Sequence, residues 1–145
     1  MPKFNANLSM MFTEVDFLER FAAAATAGFK GVEFLFPYAY DKNQLAEIVA
    51  KHKLQAILFN TPPGDWNAGD RGLACDPARV TEFQDGVGKA IDYARMLGCK
   101  QIHCMAGLRP RGVNADKMRE IFAEHVLGGK PVEKYALAVG SETTF

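Results

Sequence analysis

Six residues of this chain combine reactive or binding side chains with positions where such side chains are useful. Asn7, Glu33, Asn60 and His103 each interrupt or close an apolar stretch of strand length, while Trp66 and Arg71 lie in a long loop directly after Asn60. Glu33 and His103 are the titratable pair, and the chemistry open to them is proton transfer beside a carbonyl. Their plainer alternatives are a hydrogen-bonding partner of neighbouring strands for Glu33 and, for His103, a buried neutral ring bonded to Asn7 or water. Arg71 can clamp a substrate carboxylate with its planar fork, or it can pack the loop by pairing with Asp65 or Asp70. Trp66 can fold the loop down, cover a substrate, or do both.

The elements that would position these residues follow from periodicity and caps. Phe4 to Met10, Gly31 to Phe36, Leu54 to Asn60 and Gln101 to Ala106 read as strands. After the first, Thr13 and Asp16 have capping-box spacing and precede the stripe Phe17, Leu18, Phe21, Ala22 and Ala25, which Gly28 terminates. Asp41 caps a second helix with Leu45, Ile48 and Val49 inward. Asp76 followed by Pro77 starts a third, whose apolar face runs from Val80 to Leu97, and Asn114 caps a fourth. Between Asn60 and the third helix the loop carries two prolines, three glycines, Trp66, two aspartates and Arg71 by residue 72. Connections longer than about 12 residues in compact domains are functional or disordered, and a tryptophan inside this one argues for order.

Alternation of apolar strands with helices specifies an α/β fold with a parallel sheet. Asn5, Asn7, Glu33 and His103 would be costly against covering helices but are tolerated inside a barrel mouth. No glycine-rich phosphate loop follows the first strand, which disfavours a doubly wound nucleotide-binding sheet. A barrel built of βα units is therefore expected. With 17 basic and 17 acidic residues the chain has no net field to attract nucleic acid. It has no apolar signal segment and no run of about 18 apolar residues, and Cys75, Cys99 and Cys104 follow no metal or redox spacing; a cytoplasmic protein with reduced thiols is expected.

The stretches Asn5-Ala6-Asn7-Leu8-Ser9-Met10, Gly31-Val32-Glu33-Phe34-Leu35-Phe36-Pro37-Tyr38 and Asn60-Thr61-Pro62-Pro63-Gly64-Asp65-Trp66, continued by Gly69-Asp70-Arg71-Gly72, resemble the hydroxypyruvate isomerase family. That family includes 2-oxo-tetronate isomerases and belongs to the xylose isomerase-like barrels. The resemblance covers about residues 4 to 125. It implies an eight-stranded barrel that interconverts a small hydroxy-aldehyde and its ketone isomer through an enediol, with a divalent metal in some members. It also implies that the paired catalytic glutamates and metal-binding carboxylates lie on the fifth to eighth strands of a chain of roughly 250 residues.

Glu142, followed by Thr143, does not match the glutamate-proline that closes the family's fifth strand. The resemblance thus places no catalytic residue, metal ligand or cofactor on this chain. Its substrate-binding candidates are Asn7, Glu33, Asn60, Trp66, Arg71 and His103. The expected organisation is the N-terminal half of a TIM barrel over residues 1–127, about four βα units, with a divergent tail at 128–145. Such a chain is expected to be truncated and inactive alone, to take a small hydroxy-carbonyl substrate by family, and to form a homodimer or larger. The alternative is a non-catalytic, self-associating half barrel, since open sheet edges invite partners. Neither nucleic acid nor membrane is an expected partner.

Overall fold

The computed structural model describes residues 3–109, 112 and 114–122. Four parallel strands, β1 (Asn5–Asn7), β2 (Gly31–Glu33), β3 (Gln55–Asn60) and β4 (Ile102–His103), pair in chain order. They alternate with α1 (Arg20–Thr26), α2 (Lys42–Lys51), α3 (Val80–Leu97) and α4 (Ala115–Phe122). Sequential order with every strand parallel is the arrangement of consecutive units in a (βα)₈ barrel, here four of them. The expected boundary near residue 127 and the tail beyond it lie outside the described residues.

Several elements are shorter than their apolar runs. β1 stops at Asn7 because its carbonyl accepts from Met10 and Met11 in a turn (3.0 and 2.8 Å). The expected Thr13–Asp16 capping box does not form. A related contact sits three residues later, where the Asp16 N–H donates to the Glu19 carboxylate at 3.3 Å and opens the turn leading into α1. Asp76 does not start α3 either: it caps a single turn through Ala78 N–H (3.0 Å), and the helix begins at Val80. Two expected caps are present. Asp41 accepts from the Asn43 and Gln44 N–H groups at 2.9 and 3.0 Å, and the Asn114 side chain accepts from Lys117 at 2.8 Å.

One side of the sheet is closed by the helices. Phe21, Phe34 and Phe59 are fully or almost fully buried there. Their rings continue through Phe17, Tyr38 and Tyr93, with neighbouring centroids 5.2 to 6.3 Å apart in edge, tilted and stacked geometries. This aromatic chain ties α1 to α3 across β2 and β3.

A register shift decides which residues face the other side. Val32 pairs with Ala56, but Glu33 pairs with Leu58, so β3 carries one extra residue at Ile57. In an uninterrupted strand alternate residues change faces, which would put Asn60 with Ala56 against the helices. The bulge reverses the parity: Phe59 enters the apolar core, and Asn60 joins Glu33 on the inner face, opposite His103.

Candidate functional site

The inner face holds two hydrogen-bonded groups. In the first, Asn5 Nδ2 donates to Glu33 Oε2 (2.5 Å) and Asn7 Nδ2 donates to Glu33 Oε1 (3.0 Å). The register makes this possible, since Asn5 and Asn7 are two residues apart and Asn7 is the direct partner of Glu33. The Asn7 side-chain Oδ1 accepts from Ser9 N–H, and the Ser9 hydroxyl accepts from Leu35 N–H (3.0 and 2.8 Å), which fixes the amide's orientation. Each carboxylate oxygen therefore already has a donor, and Glu33 is a fixed acceptor more than an idle base.

In the second group, one pair farther along, His103 Nδ1 lies 3.1 Å from Asn60 Oδ1, and Asn60 Nδ2 donates to Met105 Sδ at 3.7 Å. Thr61 N–H donates to the His103 carbonyl, and the Tyr38 hydroxyl donates to the Asn60 carbonyl (2.9 and 2.5 Å). Burial, with Tyr93 nearby, pushes the Tyr38 pKa upward, so that hydroxyl keeps its proton. The expectation of a buried neutral His103 ring bonded to Asn7 or water is corrected in its burial and in its protein partner. The ring is exposed and its partner is Asn60, because β4 pairs with β3 and not with β1.

Over this end of the sheet lies the loop from Thr61 to Arg79. The Arg71 guanidinium carbon stands 4.0 Å above the Trp66 ring centroid, and Arg71 Nη1 donates to the Trp66 and Asp70 carbonyls at 3.2 and 2.6 Å. Trp66 leans on Phe36, with centroids 5.1 Å apart, and stays 39% exposed. The Asp70 carboxylate goes elsewhere: it accepts from Arg79 (2.6 Å) and from Asp65 N–H (2.7 Å), and these contacts hold its pKa below the usual value. Pairing of Arg71 with the Asp65 or Asp70 carboxylate is thus not its packing role. Among the described residues no carboxylate lies within ion-pair distance of it; Nη1 is spent on the two carbonyls, and Nε and Nη2 are the edge left for an anionic ligand.

The loop is joined to β4 through Gly72, which bridges Ala106 at a φ of +114°; a β-carbon there would collide with the Met105 carbonyl. Asn5 is the inner-face residue that a reading of the sequence passes over as a ligand candidate. Its signal was the two-residue spacing from Asn7, which in a strand means a shared face.

Among the described residues no group of three or more His, Cys, Asp or Glu side chains could hold a metal ion. Cys104 packs as a neutral thiol, its pKa raised by burial despite a hydrogen bond from Thr61 that opposes the shift. A cavity of about 660 Å³ lies at the other end of the strands, lined by residues including Lys3, Phe4, Phe29, Lys30 and Gln55. In parallel βα barrels chemistry is built at the carboxyl ends, where Asn60, His103 and the Trp66 loop lie, and not at this amino-terminal end.

Fold and face together define half of a βα barrel with a polar row on its inner face and a covering loop at the carboxyl ends of its strands. A model of the xylose isomerase-like TIM barrel family matches residues 21–127, and the chain belongs to that family. It is 51% identical over 126 residues to hydroxypyruvate isomerase of Escherichia coli (strain K12), covering 87% of this chain and 49% of that protein. It is 47% identical over 126 residues to 2-oxo-tetronate isomerase of Haemophilus influenzae, covering 87% and 49%. A crystal structure described as an AP endonuclease, family 2, from Brucella melitensis superposes with a TM-score of 0.82 at 50% identity, covering 86% of this chain and 48% of that one. The chain spans about half the length of the curated relatives it matches. No helix among the described residues is long and apolar enough to cross a membrane.

Proposed function

We propose that this half barrel supplies the substrate-positioning face of an isomerase acting on a small hydroxy-carbonyl acid, as its hydroxypyruvate and 2-oxo-tetronate isomerase relatives are named. The observation that carries this reading is the polar row Asn7, Glu33, Asn60 and His103 on one sheet face, beneath a loop offering Trp66 and an unpaired Arg71. In such a reaction the proton leaves the carbon beside the carbonyl, an enediolate forms, and the proton returns to the neighbouring carbon while a hydroxyl proton crosses between the oxygens. Arg71 suits the substrate carboxylate, and Glu33 and His103 suit its hydroxyl groups. Both Glu33 oxygens are engaged by amides, which suits Glu33 to holding the substrate more than to moving its proton. On this reading the proton is moved by groups beyond this face.

The test is direct because the chain has one tryptophan. Hydroxypyruvate should change Trp66 emission saturably, with half-effect at or below about 1 mM, the upper range of ordinary enzyme–substrate affinities. The same chain incubated with hydroxypyruvate and magnesium should form no tartronate semialdehyde. Absence of any saturable response would sink the substrate-positioning role, and turnover at the rate of the relatives would place the proton-transfer groups within these residues.

We also infer self-association. β1 and β4 have no further strand partner among the described residues, and the large apolar side chains beside them stand open: Phe4 (73% exposed) and Met10 (70%) flank β1, and Leu108 (62%) follows β4. A dimer or larger is expected by light scattering, and a monomer persisting at about 10 μM, well above the micromolar affinities of weak dimers, would exclude it. The three free cysteines fit a reducing, cytoplasmic setting.

A further inference from the structure

We propose that Asn60 is a positioning residue that holds His103 in the Nδ1–H tautomer and leaves Nε2 as a bare lone-pair acceptor. Asn60 is 7% exposed, so its NH₂ group has no solvent to turn to and must find a donor's partner in the protein. One end of the amide faces Met105 Sδ at 3.7 Å and the other faces His103 Nδ1 at 3.1 Å. A thioether sulfur has lone pairs and no hydrogen, so it can accept from NH₂ but has nothing to offer a carbonyl oxygen. Turning the amide over would set Oδ1 against the sulfur, lone pair to lone pair. The favoured orientation therefore points Oδ1 at His103, and an oxygen that only accepts requires the hydrogen to be on Nδ1.

The surroundings hold this arrangement. Asn60 and His103 are direct partners across β3 and β4, and their carbonyls are tied down by Tyr38 and Thr61. The imidazole itself is exposed, and among the described residues Nε2 has no protein partner. A lone pair at Nε2 accepts from a hydroxyl and repels a carbonyl oxygen or a carboxylate. His103 thus selects an O–H group of its ligand, while the anionic group is left to Arg71. That Nε2 meets a substrate hydroxyl rests on the isomerase reading; the tautomer rests on the hydrogen bonds alone.

The experiment reads the tautomer on the full chain with no ligand added, so it is decided separately from any activity. Two-bond proton–nitrogen correlation spectra of the ¹⁵N-labelled protein at about pH 8.5, above the ordinary imidazole pKa of about 6.5, report which ring nitrogen is protonated. The chain has three histidines, and His103 is assigned by its loss in His103→Gln. The expected wild-type pattern is a protonated Nδ1 and a bare Nε2. Asn60→Asp, which keeps an acceptor facing Nδ1, should retain it; Asn60→Leu should revert to the Nε2–H form that a free imidazole prefers. Wild-type His103 in the Nε2–H form, or a tautomer unchanged in folded Asn60→Leu, would overturn the proposal. Should Asn60→Leu fail to fold, the wild-type and Asn60→Asp spectra decide it.

Discussion

The two faces of this one sheet are held in opposite ways. Against the helices, Phe21, Phe34 and Phe59 sit in a closed aromatic chain that needs nothing outside it. The inner face carries, beside Leu58, polar side chains that are partly open and bound to one another in two small groups with donor or acceptor capacity left over. Burial of apolar surface stabilises the first by amounts no hydrogen bond on the second can match. The helix side is therefore where stability resides, and the inner side is where side chains are free to be chosen for binding.

That division makes quantitative demands. Truncating Phe59→Ala removes a fully buried ring at the centre of the aromatic chain and should cost about 3–5 kcal/mol, a large share of the roughly 5–15 kcal/mol of an ordinary domain. Urea titration followed by circular dichroism measures it. Gly72→Ala should cost less, about 2–3 kcal/mol, by forcing a β-carbon onto the Met105 carbonyl at a backbone angle that side chains avoid. Its effect should appear first as a red shift of Trp66 emission, with the helix signal changing later. Glu33→Gln should cost only about 1 kcal/mol, since the side chain keeps its shape and one of its two amide contacts. If Glu33→Gln destabilised the fold as much as Phe59→Ala, the inner face would be structural and the division between faces would fail.

How much of this could be read from the residues alone divides along the same line. The helix side was legible because burial leaves a periodic trace: the stripes of α2 and α3, the Asp41 cap and the left-handed glycine closing α3 at Gly98 are all local. The inner face was legible only in composition. Asn7, Glu33, Asn60 and His103 stand out as polar residues in apolar runs, yet Ala56 to Phe59 is uniformly apolar and gives no parity from which to infer that Asn60 shares a face with Glu33. The bulge that places it there is a property of the β2–β3 pairing. The starts of α1 and α3 were misplaced for a related reason. Asp76 does cap a turn, and Asp16 opens one through its N–H to Glu19, but whether such a turn grows into a helix depends on what the next residues pack against.

Solution pH offers the finest discrimination, because the core and the loop respond with opposite sign. Tyr38 belongs to the core, and burial raises its pKa above the ordinary 10.0. A raised value means that the folded state keeps the proton longer than the unfolded chain. Its stabilisation is complete below pH 10 and declines above it, by at most about 1.4 kcal/mol per pH unit for one proton. Tyr38→Phe should flatten that alkaline decline.

Asp70 belongs to the loop, and the Arg79 guanidinium, then the Asp65 N–H, hold its pKa below the ordinary 3.8. A lowered value means that the folded state gives up the proton more readily than the unfolded chain. The contribution is present above pH 3.8 and is lost as pH falls through the lower folded value. Glu82, paired with the same Arg79, is shifted the same way and fades over a similar range. The group is partly solvent-exposed and lies in a loop, so the effect on global unfolding should be small. It should be visible locally, as an acid-induced change in Trp66 emission that begins below about pH 4, the ordinary aspartate range, while the circular dichroism of the helices stays constant. Asp70→Asn should show the altered emission already at neutral pH and little further change on acidification. If emission and circular dichroism instead moved together through the acid range in both proteins, the loop would be part of the same cooperative unit as the aromatic core, and its apparent independence would be lost.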